Sequence, residues 1–432
     1  MVKVFIFTNP GFENKGDAAI LIGTFKSLKS SLKEIQITLF SSDPEFDSKR
    51  CDFDLFVLKS SKFLGRYEKL FFIPQHILAS IVYRVFGLRL KWILKRDLWE
   101  AFRQADIVLV GLNDCFTLTY GVQPFLFNCY GIFFAWLLGK ARILYGGAIG
   151  EFHKTAWKPL AKFVLSKLHL ITLREEISYN NLKLLNVNNV PSYVTADLGF
   201  LIDTAPEKRI KDIMAASGVR GSGNPLVGVS VSRRISHWAF PFITDSEEKY
   251  RKFISVMAKV IDYLIESKSA NILFVPHSIA SGFNLDREDR IAAQDVYQLL
   301  KRKENAKVID IECSPEELKG IIGKCALFVG ARTHAVINAL SMCVPSVALS
   351  YTHKTEGIVG KMLGQEKWVY DIKQLDLDSL VFKIDKAWAA RAEIKRDLQS
   401  RIEKVKEQAW LNGKLVKELL NSKKSNRARR FS

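Results

Sequence analysis

An arginine and a histidine two residues apart are the clearest candidates for chemistry in this 432-residue chain. Arg332 and His334 follow the apolar run Leu327–Val329, and a helix is predicted to begin at Thr333 or His334. Arginine offers a planar fork to a carboxylate or phosphate, and histidine titrates near neutral pH. The amides that open a helix also favour an anion. The pair predicts a site that binds an anion and moves a proton; alternatively, Arg332 pairs with a surface acid and His334 only caps the helix.

Other basic side chains and a second histidine follow predicted strands in the same half of the chain. Arg233 and Arg234 come after one strand, and we expect Arg233 in particular to be a second anion clamp. His277 ends another strand, and Lys354 follows a third. Lys354 could add positive charge against a phosphate. The alternatives remain open: a solvated arginine pair, a histidine that supports a loop, and a lysine with no ligand.

The first strand and helix are joined by a loop that contains Asn14, Gly16 and Asp17. Glycine lets the backbone approach a ligand closely, and an aspartate at this point is predicted to cap the helix. Ligand binding by Asn14 and neighbouring amides is the alternative. Further along, Gly147 lies in a glycine-rich turn without the dinucleotide-binding spacing, and His153 lies just beyond it.

The elements that must position these residues alternate between short β-branched runs and longer helical stretches. This pattern predicts an α/β fold with two Rossmann-like doubly wound domains that face a cleft and a long C-terminal helix. We predict an N-terminal domain at 1–205, a C-terminal domain at 206–372, a helical segment at 373–421 and a basic tail at 422–432. The polar stretch Pro206–Pro225 is interpreted as the connection between the domains.

Positive charge is concentrated in two regions of a chain with 64 Lys/Arg and 45 Asp/Glu residues, a net charge of +19. From Lys59 to Arg96, nine basic residues and one acid flank the apolar run Leu70–Tyr83. The tail from Lys423 to Arg430 adds five basic residues. A basic helix near Arg84–Arg96 predicts peripheral contact with an anionic membrane. A solvated basic surface is the alternative; nucleic acid is not expected, because no binding motif accompanies the charge.

Cysteine usage and hydropathy indicate a cytoplasmic protein. The six cysteines lack a close pair or zinc spacing, which predicts free thiols in a reducing compartment and no metal site. Met1–Phe7 is too short for the core of a signal peptide. Cys115–Gly139 contains 25 uncharged residues and is interpreted as a buried crossover helix, with a membrane span as the alternative.

Several of these motifs together resemble the polysaccharide pyruvyl transferase family. The resemblance covers about residues 1–370, and the order of the motifs carries it more than any one motif does. In the second half, Val275–His277 with Asp286 or Asp289 resembles the family's strand-end histidine and later aspartate. The other segments that carry it are Asn14–Ile20, Gly146–Gly150, Leu173–Ser178, Ala196–Phe200 and Gly330–Ala335, with Pro345 and Lys354 after them.

The resemblance implies a glycosyltransferase-B-like fold and transfer of pyruvate from phosphoenolpyruvate onto two hydroxyls of a sugar, giving a cyclic ketal. It makes Arg332 the anion-binding residue and His334 the proton donor. No cofactor or metal is expected, and the acceptor is expected to be a sugar, in particular a lipid-linked one. The remaining assignments are Arg233, His277 and Lys354 for phosphoenolpyruvate, and Asn14, Gly16, Asp17, Gly147 and His153 on the acceptor side.

One segment departs from the family pattern. Where the family has a glycine triplet after the fourth strand, this chain has Val110–Asp114. The departure bears on the acceptor pocket and keeps one alternative open, a non-catalytic sugar-binding relative. A glycosyltransferase-B-like enzyme with a nucleotide-sugar donor is a separate alternative, although the Arg332/His334 pair suits a small dianionic donor better.

Overall fold

The computed structural model describes residues 1–7, 11–41, 44–49, 55–59, 66–90, 92–93, 95–114, 116–219, 223–279, 286 and 288–428. The side chains of 46, 55–59, 66–71 and 423–428 are outside this description, as are Cys51, Cys115 and the end of the basic tail. The chain forms two compact units. Unit 1 comprises Met1–Phe12, Gly23–Leu198 and Gln408–Ser432, and unit 2 comprises Glu13–Ile22 and Gly199–Glu407.

Unit 1 contains a parallel sheet of seven strands among the described residues, in the order β3-β2-β1-β4-β5-β6-β7. Its central strands are apolar and buried, as expected for a parallel sheet covered by helices on both faces. The strands are β1 (Val2–Phe7), β2 (Ile35–Ser41), β3 (Leu55–Lys59), β4 (Ile107–Val110), β5 (Ala141–Gly147), β6 (Leu170–Leu173) and β7 (Ser192–Val194). The helices are α1 (Lys15–Ser31, which begins in unit 2), α2 (Pro44–Ser48), α3 (Arg66–Phe86), α4 (Arg96–Gln104), α5 (Val122–Leu137), α6 (Lys158–Leu165) and α7 (Glu176–Leu184).

Unit 2 repeats this plan with six described strands in the order β10-β9-β8-β11-β12-β13. The strands are β8 (Leu226–Ser230), β9 (Asn271–Phe274), β10 (Ala306–Val308), β11 (Leu327–Gly330), β12 (Ser346–Ser350) and β13 (Val369–Asp371). The helices are α8 (Glu207–Ala216), α9 (Arg233–Ser236), α10 (Ser246–Lys268), α11 (Asp289–Leu299), α12 (Pro315–Ile322), α13 (Thr333–Ser341), α14 (His353–Thr355), α15 (Leu377–Ala389) and α16 (Arg391–Ala428, which ends in unit 1). Both strand orders are doubly wound, which confirms the predicted fold class.

The uncharged stretch after Cys115 contains α5, which packs against β4 and β5 and buries Phe125, Cys129 and Phe134. The interpretation as a buried crossover helix is confirmed. Within the described part of the chain, no helix is both long enough and apolar enough to cross a bilayer.

One predicted element was wrong. The expected basic helix near Arg84–Arg96 does not form, because α3 ends at Phe86 and Gly87 adopts φ +70°. The predicted long C-terminal helix is present as α16, with α15 before it and a break at Ala390. Half of the stretch Pro206–Pro225, interpreted as the connection between the domains, is occupied by α8.

Candidate active site

The carboxyl edge of the second sheet collects four of the predicted phosphoenolpyruvate-site residues. His277 follows β9, Arg233 follows β8, Arg332 follows β11 and Lys354 follows β12. These strands are consecutive neighbours in the sheet, in the order β9-β8-β11-β12. The ends of parallel strands, together with the helices that begin there, form the usual binding edge of an α/β domain.

Arg332 is held by a buried carboxylate. Its Nε donates to both carboxylate oxygens of Asp289 at 3.2 and 3.1 Å, and its Nη2 donates to Oδ1 at 2.7 Å. Nη2 also donates to the carbonyl oxygen of Asp286 at 3.1 Å. Only 12% of the Arg332 side chain and 1% of that of Asp289 are exposed. The guanidinium is therefore fixed in orientation by a desolvated, two-pronged ion pair rather than by a surface acid.

The same carboxylate organises the loop after β9. Asp289 Oδ2 accepts the amides of His277 at 3.1 Å and Ser278 at 2.9 Å. One aspartate therefore connects the end of β9 to the turn after β11. The sequence pointed to Asp289 only through the family pattern, as one of two candidates.

His277 is almost fully buried and close to other cationic groups. Burial, with the positive charges of His334, Arg332 and Lys15, lowers the pKa of His277 to about 3. Its Nε2 lies 3.4 Å from Nδ2 of Asn338, and among the described residues its Nδ1 has no hydrogen-bond partner. His277 is therefore neutral near pH 7, which suits a hydrogen-bonding role better than proton donation.

The loop before α1 packs against this edge within unit 2. The amide of Lys15 donates to the His277 carbonyl at 2.9 Å, and Asn14 forms an antiparallel bridge with Ser278. Gly16 lies against the imidazole of His334, since a Cβ built on Gly16 would be only 2.3 Å from Nδ1 of that histidine. The predicted residues Asn14 and Gly16 are thus next to His277 and His334.

The capping residue of α1 is Asn14 and not Asp17 as expected. The helix begins at Lys15, and the Asn14 side chain accepts the Gly16 amide at 3.0 Å, which is N-cap geometry. Asp17 lies in the first turn, half-buried. A one-residue shift in the helix start explains the difference, because asparagine and aspartate are equally good caps.

Lys15 is a functional candidate that the sequence reasoning missed. Its side chain is 3% exposed, and Nζ lies 3.2 Å from Oε1 of Glu312. Lysine is seldom buried without a partner. Its position inside the Asn14–Ile20 motif was the available signal.

Arg233 and Lys354 are placed by short helices. Arg233 begins α9, pairs with Glu247 and stacks over the ring of Tyr250 at 4.4 Å. Lys354 is buried in α14. In the same helix, the hydroxyl oxygen of Thr355 lies 3.1 Å from the hydroxyl oxygen of Thr333 in α13. Both basic residues are thus anchored beside β11.

The remaining acceptor-side residues belong to unit 1. Gly147 ends β5, where a Cβ would be 2.3 Å from the Gly111 carbonyl oxygen, so close packing requires the glycine. His153 is half-buried in a short 3₁₀ turn. In the loop that departs from the family pattern, Asp114 pairs with Arg174, whose Nη1 also donates to Asp197 at 2.8 Å. That loop is therefore part of a buried ion-pair cluster.

These features define an α/β protein of two parallel-sheet units with an arginine–histidine site at one sheet edge. Solved structures similar to this chain include UDP-GlcNAc 2-epimerase from Neisseria meningitidis bound to UDP-GlcNAc, at 12% identity, TM-score 0.60, 97% of this chain and 100% of that chain. A glycosyltransferase from Rickettsia africae is similar at 11% identity, TM-score 0.57, 98% of this chain and 97% of that chain. At such identity these likenesses show the fold alone.

The sequence profile of polysaccharide pyruvyl transferases matches residues 14–353, and the chain belongs to that family. The amylovoran biosynthesis protein AmsJ of Erwinia amylovora is 24% identical over 430 residues, covering 98% of this chain and all of that protein. The chain is accordingly a transferase of polysaccharide biosynthesis.

Proposed function

We propose that this transferase moves pyruvate from phosphoenolpyruvate onto a sugar as a cyclic ketal. The observation that carries the proposal is that four basic side chains follow neighbouring strands of the second sheet: Arg233, Arg332, Lys354 and His277. His334 lies two residues after Arg332, in the first turn of α13. A small donor with a carboxylate and a phosphate needs two cationic contacts and one proton-transfer group, and this edge supplies both.

The chemistry assigns one step to each group. His334 protonates the methylene carbon of the enol phosphate, which leaves positive charge on the adjacent carbon for attack by a sugar hydroxyl. Loss of inorganic phosphate then lets a second hydroxyl of the same sugar close the ring. Two hydroxyl protons are released overall: one is balanced by the new methyl hydrogen and one by hydrogen phosphate.

Arg332 is proposed to bind an anionic group of the donor, with Asp289 holding the guanidinium in place. Arg233 and Lys354 add charge from the two strands that flank β11. His277, neutral because its pKa is lowered to about 3, contributes a hydrogen bond rather than a charge. Asn14, Gly16, Asp17, Gly147 and His153 are proposed to contact the acceptor.

The test is incubation of the pure protein with phosphoenolpyruvate and a panel of sugars, including lipid-linked ones. We expect phosphate release together with an acceptor that gains the mass of pyruvate less one water. Phosphate release without that product would indicate only hydrolysis. Turnover of a nucleotide sugar instead would support the alternative of a glycosyltransferase-B-like enzyme. Binding of sugar without turnover of any donor would support the non-catalytic alternative.

A second proposal concerns contact of α3 with an anionic membrane at the inner face of the cell membrane. The helix has two apolar faces. One is buried through Phe72 and Ala79, with Ser80 accepting from Trp99 Nε1 at 3.2 Å. The other is exposed and contains Leu78, Ile81 and Val85 at helical spacing, with Ile73 and Phe86 at its two margins. Leu88 and Trp92, beyond the end of α3, are exposed as well.

Exposed basic residues lie beside this second face. Arg89, Lys95 and Arg96 are exposed, and Arg84 donates to the carbonyls of Trp136 and Leu137 at the end of α5. An exposed apolar stripe with a basic margin is typical of a helix that lies in the headgroup region of anionic lipid. Such contact would bring the protein to the membrane that carries a lipid-linked acceptor.

Flotation with phosphatidylglycerol-containing vesicles tests this contact. We expect the wild-type protein to float at low salt, and the double variant I81E/V85E to remain in solution. F382E, a change at an exposed phenylalanine in α15, is the matched control and should float normally. Equal flotation of I81E/V85E and wild type, or binding to neutral vesicles alone, would refute the proposal.

A further inference from the structure

A second histidine–carboxylate pair lies next to the Arg332 site. His237 Nε2 is 3.0 Å from each carboxylate oxygen of Asp286. The backbone carbonyl of this aspartate is the one that accepts from Arg332 Nη2 at 3.1 Å. Asp286 therefore joins the histidine pair to the arginine. About a third of the His237 side chain is exposed, at 36%.

Because Nε2 of His237 contacts Asp286, Nδ1 is the imidazole nitrogen that could accept a proton. When Nε2–H donates to the carboxylate, Nδ1 carries the lone pair and can accept a proton. Among the described residues, the hydrogen bonds of this imidazole are the two between Nε2 and Asp286. In many enzymes, a carboxylate fixes the tautomer of the histidine that acts as general base in this way.

Two aromatic rings adjoin this histidine. Trp238 follows His237 directly, and its ring lies 4.5 Å from that of Tyr351, centroid to centroid, at 31°. Tyr351 follows β12 and Trp238 follows α9, so the pair lies beside β11 on the same sheet edge as Arg332. Both rings are half-buried, so part of each ring is accessible to a ligand.

We propose that Trp238 and Tyr351 bind the pyranose ring of the acceptor and that His237 accepts the proton of its attacking hydroxyl. Stacking covers the apolar C–H face of the sugar, while the hydroxyls at the ring edge reach polar groups. The ligand class is thus a pyranoside with two free hydroxyls. The inference rests on the proposed ketal transfer, for which it supplies the acceptor subsite.

The step balances with the donor chemistry. As the sugar oxygen forms its bond to the central carbon of the donor, its O–H bond breaks and the proton moves to Nδ1 of His237. The imidazolium formed is stabilised by the Asp286 carboxylate at 3.0 Å. The proton then passes to the departing phosphate, so that His237 is restored.

The competing explanation is that His237 only holds Asp286 in place and so supports Arg332 through the Asp286 carbonyl. In that case the Asp286 variant would weaken phosphoenolpyruvate binding. A general base predicts instead an unchanged donor affinity, a lower kcat and a changed pH profile.

Saturation-transfer NMR with methyl pyranosides of glucose, galactose and mannose tests the stacking. We expect transfer to the ring C–H protons of at least one glycoside, and a loss of about tenfold in its affinity in Trp238→Ala. Trp388→Ala is the matched control, a half-buried tryptophan of α15 under the guanidinium of Arg391 at 3.7 Å. Equal affinity in the two variants, or no saturation transfer from the wild type to any pyranoside at millimolar concentration, would overturn the subsite.

Kinetics of His237→Gln and Asp286→Asn test the base. We expect kcat to fall about 10²-fold in His237→Gln, with the half-saturating phosphoenolpyruvate concentration unchanged and the limb of the pH profile that reports the base removed. A wild-type pH profile in His237→Gln, or weaker donor binding in Asp286→Asn, would overturn the inference. If the wild-type protein does not turn over phosphoenolpyruvate, the proposed function itself is refuted. The NMR experiment would still test whether the sugar binds to Trp238.

Discussion

Adding one methyl group at Gly16 should disable the site with little effect on folding. A Cβ at this position would lie 2.3 Å from Nδ1, 2.5 Å from Cγ and 2.7 Å from Cβ of His334. The nearest of these is about 1 Å inside ordinary van der Waals contact. The loop is tied down by the Lys15–His277 backbone bond and the Asn14–Ser278 bridge, so the imidazole must move.

The magnitudes predict a separation of activity from stability. Displacement of a catalytic group by about 1 Å costs roughly 10²-fold in rate. Overpacking costs about 1–3 kcal/mol of folding free energy, while alanine in place of glycine inside a helix returns about 1 kcal/mol. Gly16→Ala should therefore lose about 10²-fold in kcat while the free energy of unfolding falls by only about 0–2 kcal/mol.

The assay is phosphate release at saturating phosphoenolpyruvate and acceptor, with urea unfolding of the same preparation. Gly11→Ala is the control, because the nearest atom to a Cβ at Gly11 is an oxygen of Asp47 at 3.9 Å. It should keep wild-type activity. The reasoning is refuted if Gly16→Ala remains folded and keeps a kcat within about threefold of wild type.

Two further predictions concern buried ionisable side chains. His277 is neutral in the folded state above about pH 3, whereas in the unfolded chain it gains a proton near pH 6.5. The free energy of unfolding should therefore fall by about 1.4 kcal/mol per pH unit as the pH is lowered between these values. In urea titrations, His277→Gln should flatten this slope. An identical slope in that variant would contradict the assignment. Arg174→Met should lower the free energy of unfolding by about 3–5 kcal/mol, because it strands the buried Asp197; Arg401→Met, at an exposed ion pair, should cost less than about 1 kcal/mol. If the two variants lose similar amounts of unfolding free energy, burial of the Arg174–Asp197 pair does not contribute to stability as argued.

The fold was accessible from the sequence because buried parallel strands are continuous apolar runs. The strand predicted at Leu170–Leu173 has those bounds as β6. The strand predicted at Ala326–Val329 is shifted by one residue as β11, and the one predicted at Ser346–Leu349 is one residue longer as β12. The wrong helix prediction lies where one residue changes the backbone direction: Gly87 ends α3 in a region where charge and hydropathy alone favoured a longer helix. The long C-terminal helix was predicted, and only its break at Ala390 was not, because the charged stretch has uniform helical propensity.

The site was only partly accessible, because the sequence reveals which residue ends a strand but not which side chains meet beyond it. Arg332 and His334 could be singled out from the strand–turn–helix pattern. The contact of Gly16 with His334 could not, because it joins segments more than 300 residues apart and depends on the strand order. The burial of Lys15 likewise depends on which segments pack over this edge, and so does the neutral state of His277, which arises from burial and then from nearby positive charges.

The most direct measurement is the rate of phosphate release by His334→Gln as a function of phosphoenolpyruvate concentration. If His334 protonates the enol phosphate while Arg332 binds it, kcat should fall about 10²–10⁴-fold and the half-saturating donor concentration should change by no more than a few-fold. A folded His334→Gln protein that retains a near wild-type kcat would contradict this assignment.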